Sequence, residues 1–270
     1  MHGLCTRRTA PTTKPIVHHL PERITMAEVT PLPAVTHASI SDRGTRARNE
    51  DALVTGWVAR YHLFAVADGL GGHARGNVAS ATAISALRET LELALPQTEP
   101  LAALSMGFRR ANEAIHRYNR QHGLNAGTTL VAALLDENGV CSIGSVGDSR
   151  AYVITETALW RTKDHSPVQE LVDAGLLSPE EALAHPQKNV LTRALGLAGS
   201  VQADTYEKDL QNAVLLLSSD GLHDAVSERL LQEIALGYDP AEACRRLVAA
   251  AKSAGSSDNI TVVVARRSGD

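Results

Sequence analysis

Residues 64–73 read FAVADGLGGH, and the fold turns on how this stretch is taken. An apolar run from Leu63 to Ala67 stops at Asp68, three of the next five residues are glycine, and a helical pattern follows. A buried strand that delivers a carboxylate into a glycine turn suits a hard cation. The strand fixes the carboxylate, and the glycines let backbone carbonyls approach closely. The plainer reading is a strand-end Asp-Gly turn. Recurrence separates the two. Asp148 ends CSIGSVGD, Asp220 ends AVLLLSSD, and Asp258 stands just before NITVVVA. Four carboxylates at the mouths of four core strands can share one sheet edge. Like charges that close repel, so such a cluster calls for cations.

The whole chain bounds what surrounds this cluster. It has 270 residues, 44% hydrophobic and 21% charged, enough for one large domain with a sizeable core. A net charge of −4 gives no basic footprint for nucleic acid, and 3% aromatics argue against base-stacking platforms. An anionic substrate therefore needs local positive charge, from metal or arginine. Cys5, Cys141 and Cys244 form no CxxC pair, so neither a zinc site nor a disulfide framework is indicated. No apolar run reaches membrane-spanning length and no signal-peptide core is present, which predicts a cytoplasmic protein with no membrane contact.

Residues 1–34 read as a disordered tail: Thr- and Pro-rich, without sustained periodicity. His18-His19 reads as part of that solvated tail, and Met26 opens a more protein-like segment that offers an alternative start. Residues 35–268 read as one domain. VTHASISD alternates weakly as a first strand, and Ala52–Trp57 and His62–Ala67 follow it. Helical spacing over Asn77–Leu95 and Leu101–His122 predicts an antiparallel pair. Strands are predicted at Thr128–Leu135, Val140–Val146 and Arg150–Ile154, with turns at Asp136–Gly139 and at Gly147-Asp148. Closely spaced hairpins imply an antiparallel meander. Residues 163–200 interrupt the strands with two short helical pieces, Pro167–Ala174 and Pro179–Ala184, and read as a surface flap. Strands at Val201–Tyr206 and Ala213–Ser218, helices at Ser227–Leu236 and Pro240–Ala251, and a strand at Asn259–Ala265 complete the chain. The order predicts an α+β fold, a four-layer α/β/β/α sandwich of two antiparallel sheets flanked by helix pairs.

One further loop carries chemistry. In RGTRARNEDALV, Asn49-Glu50-Asp51 reads either as a solvated turn or as an outer pair, Glu50 and Asp51, holding metal-bound waters. Arg46 and Arg48 suit an oxyanion, because a guanidinium grips a phosphate with a planar fork.

Six blocks occur in order: RARNEDAL, VADGLGGHARG, GTTL, VGDSRAY, LSSDGLHDAVS and SSDNITVVVA. Together they resemble the signature segments of the metal-dependent PP2C (PPM) serine/threonine phosphatases, especially the compact bacterial type, over about residues 36–267. The resemblance implies two tightly held Mn²⁺ or Mg²⁺ ions bridged by Asp68, with the Gly69 carbonyl, Asp220 and Asp258 as further ligands. It implies Glu50 and Asp51 as holders of bound water and Arg46 as the phosphate-gripping arginine. Asp68, Asp220 and Arg46 are then the catalytic set. A third, weaker ion falls to Asp148 with Asp220 or Asp224. There is one departure: many eukaryotic members carry histidine two residues after the bridging aspartate, and here that place is Leu70. The bacterial type commonly shows this apolar residue. His73 lies further on and is not assumed to substitute, so the general acid is left open.

The chemistry implied is attack on a phosphoryl group by a metal-activated water, with the developing charge neutralised by the metals and Arg46. No GxSxG elbow or phosphate-binding P-loop competes with it. The expected substrates are phosphoserine and phosphothreonine in proteins, including a Ser/Thr kinase or its targets, acted on by a monomer. The alternatives are a phosphatase of small phosphate esters and a non-catalytic regulatory scaffold of the same fold.

Overall fold

Seven consecutive residues, Tyr61–Ala67, are buried along both faces, which sets this strand between two other layers. A strand covered on both sides reads as a continuous apolar run rather than an alternation. In the computed structural model, which describes residues 35–70 and 75–267, the alternate residues go opposite ways. Leu63, Ala65 and Ala67 pack under a helix pair, whereas Phe64 and Val66 point between two sheets. The predicted tail, His18, His19, Met26 and His73 lie outside the described residues.

In chain order, β1 Val35–Asp42, β2 Ala52–Val58, β3 Tyr61–Ala67 and β4 Gly69–Leu70 lead to the helices α1 Gly76–Ala94 and α2 Pro100–His122. Then come β5 Gly127–Thr128, β6 Leu130–Leu135, β7 Val140–Val146, β8 Arg150–Ile154 and β9 Leu159–Arg161. The short helices α3 Pro167–Asp173 and α4 Pro179–Leu183 follow, then β10 Asp204–Asp209 and β11 Val214–Ser218. The chain closes with α5 Asp220–His223, α6 Glu228–Gly237, α7 Pro240–Ser253 and β12 Ile260–Arg267. One five-stranded sheet has the order β1-β12-β11-β8-β9 and the other β10-β7-β6-β3-β2; every pairing is antiparallel.

Three apolar layers result. Leu87, Leu91, Leu104, Phe108 and Ile115 of α1 and α2 cover the second sheet. Leu231, Ala235, Leu247 and Val248 of α6 and α7 cover the first, against Val214, Leu216, Val262 and Val264. Between the sheets lie Phe64, Val131, Ile143, Leu215, Leu217 and Val263. The four-layer α/β/β/α sandwich is the predicted one.

Three local expectations change. Gly147-Asp148 is not a hairpin: β7 and β8 belong to different sheets, so the chain crosses the sandwich there. Gly147, at φ +98°, makes the crossing, in a conformation an L side chain resists. The run 128–135 divides at Thr129, because Thr128 pairs with Gly69 while β6 pairs with β3. The strand expected at Val201–Tyr206 lies three residues later. Val201 and Ala203 pack on the core under α1 and α2 instead, leaving the alternating DTYEKD to pair with β7.

Candidate active site

The chain delivers its acidic residues to one end of the sandwich. Asp68 follows β3, Asp51 precedes β2, Asp220 follows β11, Asp258 precedes β12, and Asp148 lies in the crossing from β7 to β8. Both sheets therefore contribute, and short polar contacts lock the ends together. The Asp68 N–H donates to Thr129 Oγ1 (2.9 Å), and the Asp68 carbonyl accepts from the Thr129 N–H (2.9 Å) and Thr128 Oγ1 (2.8 Å). Thr129 Oγ1 lies 2.7 Å from Ser149 Oγ, so the Asp68 and Asp148 segments share one threonine. Across the sandwich, Ser219 Oγ donates to Asp51 Oδ2 at 2.8 Å.

Glycine is required where backbones touch. A Cβ on Gly69 would overlap the Gly76 and Glu50 carbonyl oxygens, and one on Gly76 would come within 2.7 Å of Glu50 Oε2. The Glu50 carbonyl accepts from the Gly69 N–H (3.2 Å) and from Ser80 Oγ (2.6 Å). Asn259 organises the arginine loop. Its Oδ1 accepts from the Glu50 N–H (2.7 Å), and its Nδ2 donates to the carbonyls of Arg43 and Arg48 (2.9 Å each).

The electrostatics are those of a cation site. Burial raises the Asp68 carboxyl well above the usual carboxylate range, and the charges of Asp51, Asp220 and Asp148 push it further. Burial likewise lifts Asp51 to about 6 and, with the Asp258 and Asp224 charges, Asp220 to about 6. Burial and then Asp220 lift Asp148 to about 8. Asp51 Oδ1 and Asp220 Oδ1 are buried without a hydrogen-bond partner, although a buried oxygen of this kind ordinarily has one. Hard divalent cations bind such oxygens, so this donor set fits Mn²⁺ or Mg²⁺. Among the described residues, no three Asp, Glu, His or Cys side chains form a ready cage for one ion. A site in which each ion takes one or two carboxylates, a carbonyl and several waters needs no such cage.

The remaining candidates lie around this centre. Arg46 Nη2 donates to Asp258 Oδ2 at 2.6 Å, with more than a third of each side chain exposed, so the phosphate candidate sits beside a ligand candidate. Asp224 caps the C-terminal end of α5 and pairs with Lys188 of the flap at 2.8 Å. Asp148, Asp224, Lys188, Arg161, Val168 and Val226 help line a cavity of about 580 Å³ between the flap and the start of α6. Sequence reading missed Thr129, Ser219 and Asn259. Each is a small polar residue whose partner lies tens to hundreds of residues away, which no local pattern announces.

Known proteins share this fold and much of this sequence. A family described as Protein phosphatase 2C matches residues 41–252. The serine/threonine protein phosphatase PstP of Mycobacterium tuberculosis is 41% identical over 244 residues, 89% of this chain. The match takes in 46% of PstP, so the chain spans about half the length of that relative. The serine/threonine phosphatase stp of Listeria monocytogenes is 41% identical over 211 residues, 75% of this chain and 83% of its own. The crystal structure of the PstP catalytic domain in complex with two manganese ions superposes with a TM-score of 0.76 at 36% identity, covering 86% of this chain and 97% of that one.

Proposed function

The chain belongs to the protein phosphatase 2C family, and from that membership we propose that it hydrolyses phosphoserine and phosphothreonine in proteins with the help of bound Mn²⁺ or Mg²⁺. The observation that carries this reading is the buried carboxyl cluster, four of whose members have pKa values raised by burial and by one another.

Asp68, Asp220, Asp258 and the Gly69 carbonyl would hold two ions, and Asp148 with Asp220 or Asp224 a third, weaker one. When bound, such cations supply Lewis-acid charge and make a water acidic near neutral pH. The chain's own residues do the rest. Glu50 and the buried Asp51 would orient water beside the other carboxyls. Arg46, beside Asp258 and open to solvent, grips phosphoryl oxygens and offsets charge as it develops. Leu70 offers no proton, so the general acid lies elsewhere. The substrates in view are phosphoproteins, including a Ser/Thr kinase or its targets, met by a monomer. A reducing, cytoplasmic setting is supported by Cys141 and Cys244, both buried as free thiols.

Phosphothreonine peptides and p-nitrophenyl phosphate, assayed on the stripped and Mn²⁺-reloaded protein, test the proposal. Turnover of the peptides is expected only with metal, and Asp68→Asn or Asp220→Asn is expected to abolish it in a folded protein. Full turnover after verified metal removal would falsify metal dependence. Turnover of the small ester alone would move the substrate away from proteins.

A further inference from the structure

Asp148 is held by what flanks it. Two consecutive residues at the root of the flap, Asp164 and His165, grip the chain on either side of it. Asp164 takes two hydrogen bonds from Arg150, Nε to Oδ1 at 2.8 Å and Nη2 to Oδ2 at 2.6 Å. His165 pairs with Gly147 in both directions. Its N–H donates to the Gly147 carbonyl (2.9 Å), and its Nδ1 accepts from the Gly147 N–H (3.0 Å). The His165 carbonyl also accepts from the Thr192 N–H (2.8 Å), where the flap returns. Both ends of the flap thus meet at the residue that pins Gly147.

The geometry fixes the tautomer. An Nδ1 that accepts carries no proton, so Nε2 does. Nε2 lies 3.3 Å from Asp204 Oδ2, off the line of a hydrogen bond. An Nδ1 without a proton leaves the ring neutral, and burial, then the Arg193 charge, lower its pKa against the opposing pull of Asp204 and Asp164. A neutral ring with its lone pair on a buried backbone N–H acts as a rigid strut.

We propose that His165 is a positioning residue: through Gly147 it sets the place of the Asp148 carboxylate, and so the affinity of the weak cation, and it ties that place to the root of the flap. The inference rests on the reading of Asp148 as a ligand of that cation. Partners that orient a metal ligand without touching the metal are typically worth about ten- to a hundredfold in affinity.

Asparagine carries an acceptor close to the position of Nδ1, and leucine carries none. Calorimetric Mn²⁺ titration of the full chain is compared for wild type, His165→Asn, His165→Leu, Asp148→Ala and the double variant Asp148→Ala/His165→Leu. Asp148→Ala is expected to lose the weak ion. His165→Asn is expected to bind as wild type. His165→Leu is expected to weaken only the weak ion by about tenfold, with turnover recovering at high Mn²⁺. In the Asp148→Ala background, His165→Leu is expected to add nothing, as a cycle through one shared site requires. Equal binding by the Asn and Leu variants, or additive losses in the double variant, overturns the positioning role. If Asp148→Ala binds the same ions as wild type, the ligand reading of Asp148 has failed, and the proposal falls with it. Should His165→Leu not fold, nitrogen chemical shifts of the wild-type ring in Mg²⁺ still decide. An unprotonated, hydrogen-bonded Nδ1 supports the strut, and a protonated Nδ1 removes it.

Discussion

Arg46 stands where two demands meet. It lies 2.6 Å from Asp258, and more than a third of each side chain is in water, where an ion pair contributes little to stability. Its worth is in binding. Losing one charge-assisted contact costs roughly 1.5–3 kcal/mol, so Arg46→Ala is expected to raise KM for a phosphopeptide about ten- to a hundredfold. Steady-state kinetics at saturating Mn²⁺ check this, and an unchanged KM would remove Arg46 from the phosphate. At this scale the sequence was informative where chemistry is local. Each of Asp68, Asp148 and Asp220 ends an apolar run, and that abrupt change of character marks it. Asn259 gave no such sign. It holds the arginine loop through contacts some 210 residues away, visible only once the chain has folded.

The flap is joined to the sandwich by an ion pair that a surface pair does not resemble. Arg150 and Asp164 are each about 12% exposed, bonded through two parallel contacts, and Arg150 also reaches Tyr152 Oη at 3.2 Å. Removing one partner strands the other. Asp164→Ala is therefore expected to destabilise by about 3–5 kcal/mol, whereas Arg150→Met with Asp164→Leu should recover most of that loss. Denaturant unfolding of wild type, Asp164→Ala and the double variant measures it, and a double variant no more stable than Asp164→Ala would show that the pair is not the source. Helices were the most legible elements. The ends of α1 and α2 fall within a residue of the spacing-based limits, because an apolar stripe at 3.6-residue period is written in the chain itself. Strand pairing was less so. Gly147-Asp148 has the composition of a hairpin turn, and only the partners of β7 and β8 reveal that it changes sheets. The strand β9, three residues long, carries too little pattern to be read.

For the molecule as a whole, the acidic cluster makes stability depend on pH in an unusual direction. Asp51, Asp220 and Asp148, with pKa values near 6, 6 and 8, bind more protons folded than unfolded between about pH 4 and those values. Their contribution is present at low pH and is lost as pH rises through 6 to 8. Asp42 and Asp173, lowered by Lys252 and Lys163, act in the opposite sense below about pH 4, and His62, His165 and His223, lowered by burial, act in that sense up to about pH 6.5, so the carboxyl cluster governs the range above it. In chelator the melting temperature is expected to fall from about pH 6.5 to pH 8, and Mn²⁺ to reverse the fall by taking the place of the protons. Scanning calorimetry in chelator and in Mn²⁺ checks this; a melting temperature that climbs over that range in chelator contradicts it. The layer between the sheets adds a mechanical consequence. Phe64, Val131, Ile143, Leu215 and Val263 hold the two sheets together by apolar area, which has no direction of its own. Ligand candidates come from both sides of the seam, and near Asp148 the chain itself bridges it. The cluster thus works like a registration mark across two plates: its alignment depends on how one sheet is set over the other, even while each sheet stays whole.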